Sequence, residues 1–188
     1  MLVKSKSPES EQYISASNRI TGVVVMVIGA LGLLDIVLEW RTAGGILVGS
    51  IIGIFMVLAY VGLIRPSVTL SPENLVLRNH LRDHVVPWSK VTGVDVTDIL
   101  RVHTADHRFR APGVQLVMRD LRKQRVGGGK LRAESSISRA DFVVDRIETH
   151  RDRYGEQSDG KVVSAWARPE LIIIGVLVVV AIVAVLLR

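Results

Sequence analysis

Residues 44–79, GGILVGSIIGIFMVLAYVGLIRPSVTLSPENLVLRN, contain the change of pattern that decides the fold. As far as Ile64 the stretch carries no charged side chain, and as a helix it is long enough for a hydrocarbon core of about 30 Å, which takes about 17–25 apolar residues. From Ser67 the apolar positions alternate, Val68 with Leu70 and then Leu75 with Leu77. A period of two marks half-buried strands. The chain therefore leaves a bilayer at Arg65-Pro66 and enters a sheet.

Two further apolar runs lie outward of this stretch, at 20–40 (ITGVVVMVIGALGLLDIVLEW) and 171–187 (LIIIGVLVVVAIVAVLL). All three should be helical despite their Val and Ile content, because hydrocarbon leaves backbone groups no partner outside the segment. Burial of these helices in a soluble core is the competing reading, but the rest of the chain is too small and polar to cover them. The first run follows a polar tail of nineteen residues and is succeeded at once by a second span. Lacking the short apolar region and cleavage site of a secretory signal, it is expected to stay in the mature protein.

Lys and Arg set the expected orientation. Lys4, Lys6 and Arg19 precede the first span, the hairpin loop has Arg41 alone, and the stretch from Arg65 to Arg168 is dense in both residues. By the positive-inside rule the N-terminus and middle region face the cytoplasm, with the hairpin tip and Arg188 outside. Trp40, Tyr60 and Trp166 fall near span ends, where amphipathic rings suit the headgroup layer. The absence of Cys excludes disulfides and thiolate metal sites and fits a reducing compartment. The expected organisation is a cytoplasmic tail at 1–19, a transmembrane hairpin at 20–64 with spans 20–40 and 44–64, a domain at 65–154, a linker at 155–170 and a third span at 171–187. The location is the cytoplasmic membrane.

Within the middle region Val94 and Val96, then Val114, Leu116 and Met118, continue the strand pattern. Turn signals separate the runs at Ser71-Pro72-Glu73-Asn74, Arg82-Asp83, Thr104 to His107 and Arg119-Asp120. After a Gly-rich polar stretch at 125–136, Ser138 can cap a helix with Ala140, Val143, Val144, Ile147, Arg151 and Tyr154 on one face. Asp141 and Asp145 stand in its first turns and Arg151 and Arg153 in its last, as the helix dipole favours. The fold class is α+β: three transmembrane helices and a small antiparallel sheet closed by one amphipathic helix. Trp88, after Pro87, is expected to bury against that helix near Val143 or Ile147.

Arg65-Pro66 at the exit of a hairpin, Leu75 to Asn79 (LVLRN), Leu81-Arg82, Pro87-Trp88, Val91 and Leu100 to Phe109 (LRVHTADHRF) occur in an order that resembles the bacterial PH-like domain of small actinobacterial membrane proteins, the low molecular weight protein antigen family. The resemblance covers 65–154. It implies a bent antiparallel sheet of about seven strands capped by a C-terminal helix. The sequence departs from the family at Ala111-Pro112, where an aromatic is usual, and in the polar insert at 119–136.

Few residues suggest chemistry. His80 and His84 flank Asp83, and His103 and His107 flank Asp106; on strands and turns residues four apart do not converge on a metal, so no metal site is expected. Gly127-Gly128-Gly129-Lys130 is followed by Leu131 where a phosphate-binding loop requires Ser or Thr, which makes it a linker. No nucleophile stands beside a base, so neither an enzyme nor a cofactor is expected. Arg119, Arg122, Lys123, Arg125, Lys130 and Arg132 cluster in one loop of a chain with net charge +6. They suit anionic lipid headgroups at the inner leaflet, at about 1 kcal/mol per cation, or reflect the positive-inside bias alone. Interspersed acids and the lack of an aromatic platform argue against nucleic acid.

In the membrane, Gly45, Gly49 and Gly53 have the small-x-x-x-small spacing for close helix approach, either against Gly29 and Gly32 of the first span or in a homodimer. Asp35 and Glu39 lie one turn apart near the outer end of the first span. Two functions compete: a membrane-anchored interaction module with a protein or lipid partner, and a transport component using Asp35.

Overall fold

A computed structural model of the chain describes residues 2–7, 10–96, 99–115 and 139–188. In chain order the elements are β1 (Leu2–Ser7), β2 (Ser10–Ile14), α1 (Ala16–Glu39), α2 (Ala43–Ala59), β3 (Ser67–Leu70), β4 (Asn74–Arg78), β5 (Arg82–Pro87), β6 (Gly93–Val96), β7 (Ile99–His103), β8 (Arg108–Gln115), α3 (Arg139–Tyr154), β9 (Val163–Trp166) and α4 (Arg168–Leu186). They form two units, one of residues 1–15, 66–79 and 83–165, the other of residues 16–65, 80–82 and 166–188.

The first unit is built on two antiparallel sheets, ordered β1-β2-β3-β4-β5-β9 and β6-β7-β8. Alternation governs burial as expected: Val68, Leu70, Leu75, Leu77, Leu100 and Val102 are fully buried while the residues between them are not. Trp88 starts a short 3-10 turn after β5 and lies wholly within the core that also holds Val143 and Ile147 of α3. On α3, Val143, Ile147 and His150 are buried in one stripe, and Phe142 stands exposed beside it.

Three expectations about strands need correction. Residues 2–7 and 10–14 of the supposed tail are β1 and β2, and β2 pairs with β3 through Glu11↔Leu70 and Tyr13↔Val68. Arg82-Asp83 opens β5 and is not a turn, with Asp83 opposite Arg78. The supposed linker contains β9, an edge strand of the larger sheet. Ala111-Pro112 lies inside β8, where the register with β7 slips between Leu100↔Ala111 and Ile99↔Gln115. A proline fits there because the irregularity removes the need for its missing N–H. The expected turn from Thr104 to His107 is present, its ends joined by a Thr104 N–H to His107 O bond of 2.9 Å.

In the second unit three helices are long and apolar enough to cross a membrane: Ala16–Glu39, Ala43–Ile64 and Arg168–Leu186. Thr42 Oγ1 accepts from the Gly45 N–H at 3.2 Å and so starts α2 sharply after the hairpin bend. At its far end α2 widens into a π-helical turn, Tyr60–Ile64. Gly29 packs under Met56, Gly49 lies against Leu33 and Ile36 of α1, and Gly53 lies against Leu177 of α4. A Cβ at Gly45 would collide with the Trp40 carbonyl oxygen, so this bend requires glycine. The glycine stripe is thus occupied within the chain itself. Leu31 is 61% exposed and Val179 59%, and both belong to continuous apolar surfaces.

Candidate functional site

All six cations of the basic cluster, Arg119, Arg122, Lys123, Arg125, Lys130 and Arg132, lie outside the described residues, as do the cap Ser138 and the Gly-rich stretch. The other nominated residues are placed. Trp88 is a structural keystone: its Nε1–H donates to Ser71 O at 2.8 Å and its backbone N–H to Ser158 Oγ at 2.9 Å, while Ser158 donates to Glu73 O at 2.7 Å. Asp35 and Glu39 are both exposed on α1.

The histidines separate. His84 stands 2.7 Å from Ser164 Oγ with its ring 4.8 Å from that of Phe109. His103 Nε2 stands 2.6 Å from Asp95 on the neighbouring strand. Strand neighbours therefore claim the His84 and His103 rings. Among the described residues no three His, Asp or Glu side chains gather as metal ligands would.

Two polar constellations were not anticipated. In the first unit Arg146 of α3 forks onto Glu11 of β2, with Nε 3.1 Å from Oε2 and Nη2 bonded to Oε1. The buried Tyr13 donates its hydroxyl to the same carboxylate. The guanidinium holds the Glu11 carboxyl below the usual carboxylate range and is itself held more firmly protonated, whereas burial and the Glu11 acceptor push the Tyr13 phenol up. His150 Nδ1 lies 2.9 Å from Arg146 O, and since a carbonyl only accepts, this nitrogen carries the proton. The ring packs between Trp88 and Tyr154, each 5.7 Å away between centroids. These contacts tie the first strands to the helix. The sequence signal was slight: Tyr13-Ile14, two apolar residues at the end of a run rich in Ser, Lys and Glu.

The second constellation lies in the helical unit. Arg65, at the end of the π turn, places Nε 2.9 Å from Glu170 Oε1, and the two side chains are only 9% and 13% exposed. Arg65 also reaches His80 O at 3.4 Å, Ala167 N–H donates to Leu81 O at 2.9 Å, and the Arg82 guanidinium sits 3.8 Å from the centre of the Trp166 ring. Residues 80–82 thereby join the start of α4. Beside this junction a cavity of about 520 Å³ opens between the three helices, walled by Met26, Leu33, Gly53, Met56, Val57, Ile173 and Leu177, with Tyr60, Pro169 and Glu170 also lining it. Glu170 Oε2 is buried and has no hydrogen-bond partner among the described residues. Such a site can hold an apolar chain and one donor group.

Residues 65–153 match the family model of the bacterial PH domain. No match is found among curated proteins or solved structures. The chain therefore carries a bacterial PH-like domain, and the match spans β3 to the last turn of α3. Between those limits the described residues supply six strands and the capping helix, to which β1, β2 and β9 add from outside the matched stretch.

Proposed function

We propose that this chain is a membrane-anchored PH-like interaction module at the inner face of the cytoplasmic membrane, with a binding role and no catalytic step. The observation that supports the reading most is a strand pairing. β2 immediately precedes the first apolar helix and β3 closely follows the second, yet the two strands lie side by side in one sheet. Paired strands occupy one side of a bilayer, so the hairpin between them crosses twice and returns. β9 leads into α4 after a single residue, Ala167, which sends the C-terminus across once. The Lys and Arg bias then favours the cytoplasm for the sheet domain, with the hairpin tip and Arg188 outside.

A module of this kind offers its partner β1 and β9, the outermost strands of the larger sheet among the described residues, and the outer face of α3, where Phe142 is 47% exposed. The cluster from Arg119 to Arg132 adds a salt-sensitive attraction to anionic headgroups of about 1 kcal/mol per cation near the surface. The chain has no Cys, so single substitutions give a clean test. In intact cells Arg188→Cys should react with an impermeant maleimide and Thr104→Cys should react only after lysis. Labelling of Thr104→Cys from outside would reverse the orientation. For the lipid contact, a polarity-sensitive dye on Gln124→Cys in reconstituted vesicles should report anionic lipid at low salt and lose that response as salt rises.

A further inference from the structure

We infer that the cavity between the three helices is a lipid site, holding one acyl chain of a phospholipid whose primary ammonium headgroup donates to Glu170. The inference rests on the membrane-spanning reading above and goes beyond it by naming a ligand for the spans.

Three features converge. First, the walls are apolar along the length of the space, with two flexible methionines, Met26 and Met56, facing it. Water needs two to four polar partners to stay in a cavity, and only Tyr60 and Glu170 offer side-chain polar atoms here. In a bilayer the available apolar filler is a lipid chain. Second, Glu170 belongs to the first turn of α4, beside Pro169, which puts it at the end of the span where headgroups lie. Its Oε1 is taken by Arg65, but its buried Oε2 accepts from no described residue. A buried acceptor without a donor carries an uncompensated desolvation cost, and a ligand that supplies the donor recovers it. An ethanolamine ammonium has three N–H donors and a choline headgroup has none. Third, Tyr60 lines the space and opens the π-helical turn, an irregularity common at functional sites. The wider turn carries Arg65 to the position from which it holds Glu170.

The test uses the full chain in vesicles of equal phosphatidylethanolamine and phosphatidylcholine, with a trace of either lipid carrying a photoactivatable group in its acyl chain. After illumination, cross-linked peptides are mapped by mass spectrometry. Phosphatidylethanolamine should label peptides containing Met26 and Met56 about tenfold more than phosphatidylcholine, the ratio one charge-assisted hydrogen bond supplies. Glu170→Gln keeps an acceptor for Arg65 but turns an amide donor toward the ligand, so it should bring the two lipids to equal, low labelling. Val57→Trp should fill the space and abolish labelling by both, whereas Val179→Trp, on an exposed face, should change nothing. Equal labelling by both lipids in the unsubstituted protein, or labelling that survives Val57→Trp, overturns the inference. Carbonate extraction of the same vesicles separates the two readings. Release of the protein sinks the spanning reading and this one with it, and retention without selective labelling sinks this one alone.

Discussion

The helical unit and the sheet unit use the same aliphatic residues in opposite ways. Leu70, Leu77 and Val86 in the sheets are wholly buried, whereas Leu31, Val176 and Val179 on the helices are more than half exposed. The sheet unit folds by removing apolar surface from water, at roughly 25 cal/mol per Å². Helices that cross a bilayer gain nothing comparable from packing together, because lipid tails are as apolar as Leu; close approach of small residues decides their contacts instead. Glycines show it: Gly29, Gly49 and Gly53 each admit a neighbouring helix side chain.

The most severe test of this contrast is Trp88→Ala. Loss of a fully buried indole should cost about 3–5 kcal/mol and open the sheet domain, as read by hydrogen exchange over β3–β5 in the full chain. Leu31→Ala should shift the stability of the helical unit by less than about 1 kcal/mol. Equal effects would erase the distinction between the two units.

Gly113→Ala should come next. A Cβ there would lie 2.8 Å from Ser67 Cα and 2.9 Å from its backbone nitrogen, where β8 crosses β3, and overpacking of this kind costs about 1–3 kcal/mol. Gly62→Ala, with no atom within 4 Å of the added carbon, should be silent. Thermal melts of both variants in detergent settle the comparison.

A smaller effect is expected at the polar bridge. Arg146→Ala should cost about 1 kcal/mol, since the pair with Glu11 is partly exposed and its carboxylate keeps the Tyr13 hydroxyl. The pH dependence has a definite sign. Glu11 has a depressed pKa in the folded state, so its stabilisation is full above the ordinary carboxylate range and is lost as pH falls through that range toward the folded value. Tyr13 has a raised one, so its contribution is full below about pH 10 and lost as pH rises beyond it. Glu11→Gln should flatten the acid limb of a chemical-denaturation series; an unchanged limb would mean that other carboxylates govern it.

Much of the domain was legible because its signals are local. Alternation at Val68/Leu70 and Leu75/Leu77, the Thr104–His107 turn and the i, i+4 pair Val143/Ile147 are each readable from a few adjacent residues. β1 and β2 were missed because they are edge or near-edge strands with little apolar content, and β9 because it is only four residues long with every residue exposed; β2 and β9 join the sheet beside strands far along the chain. The Arg82-Asp83 error has the same origin: polar residues at a strand end look like a turn until the opposite strand is known.

Of the polar sites, Arg65 was visible as a span-exit residue, but Glu170 looked like the last residue of a linker. Their ion pair spans 105 positions, and no periodicity encodes such a distance.

The sequence by itself determined that there are three membrane-length helices, that strands follow Pro66 and that Trp88 belongs to their core, because length, hydropathy and alternation act through neighbours. Only the tertiary structure decided that residues 2–7 and 10–14 join the sheet, that Gly49 and Gly53 lie against helices of the same chain, and that Glu170 meets Arg65 beside an apolar cavity. Those outcomes depend on which surfaces meet when remote segments pack, where one oxygen of the Glu170 carboxylate is satisfied by a partner more than a hundred residues away and the other meets no donor among the described residues.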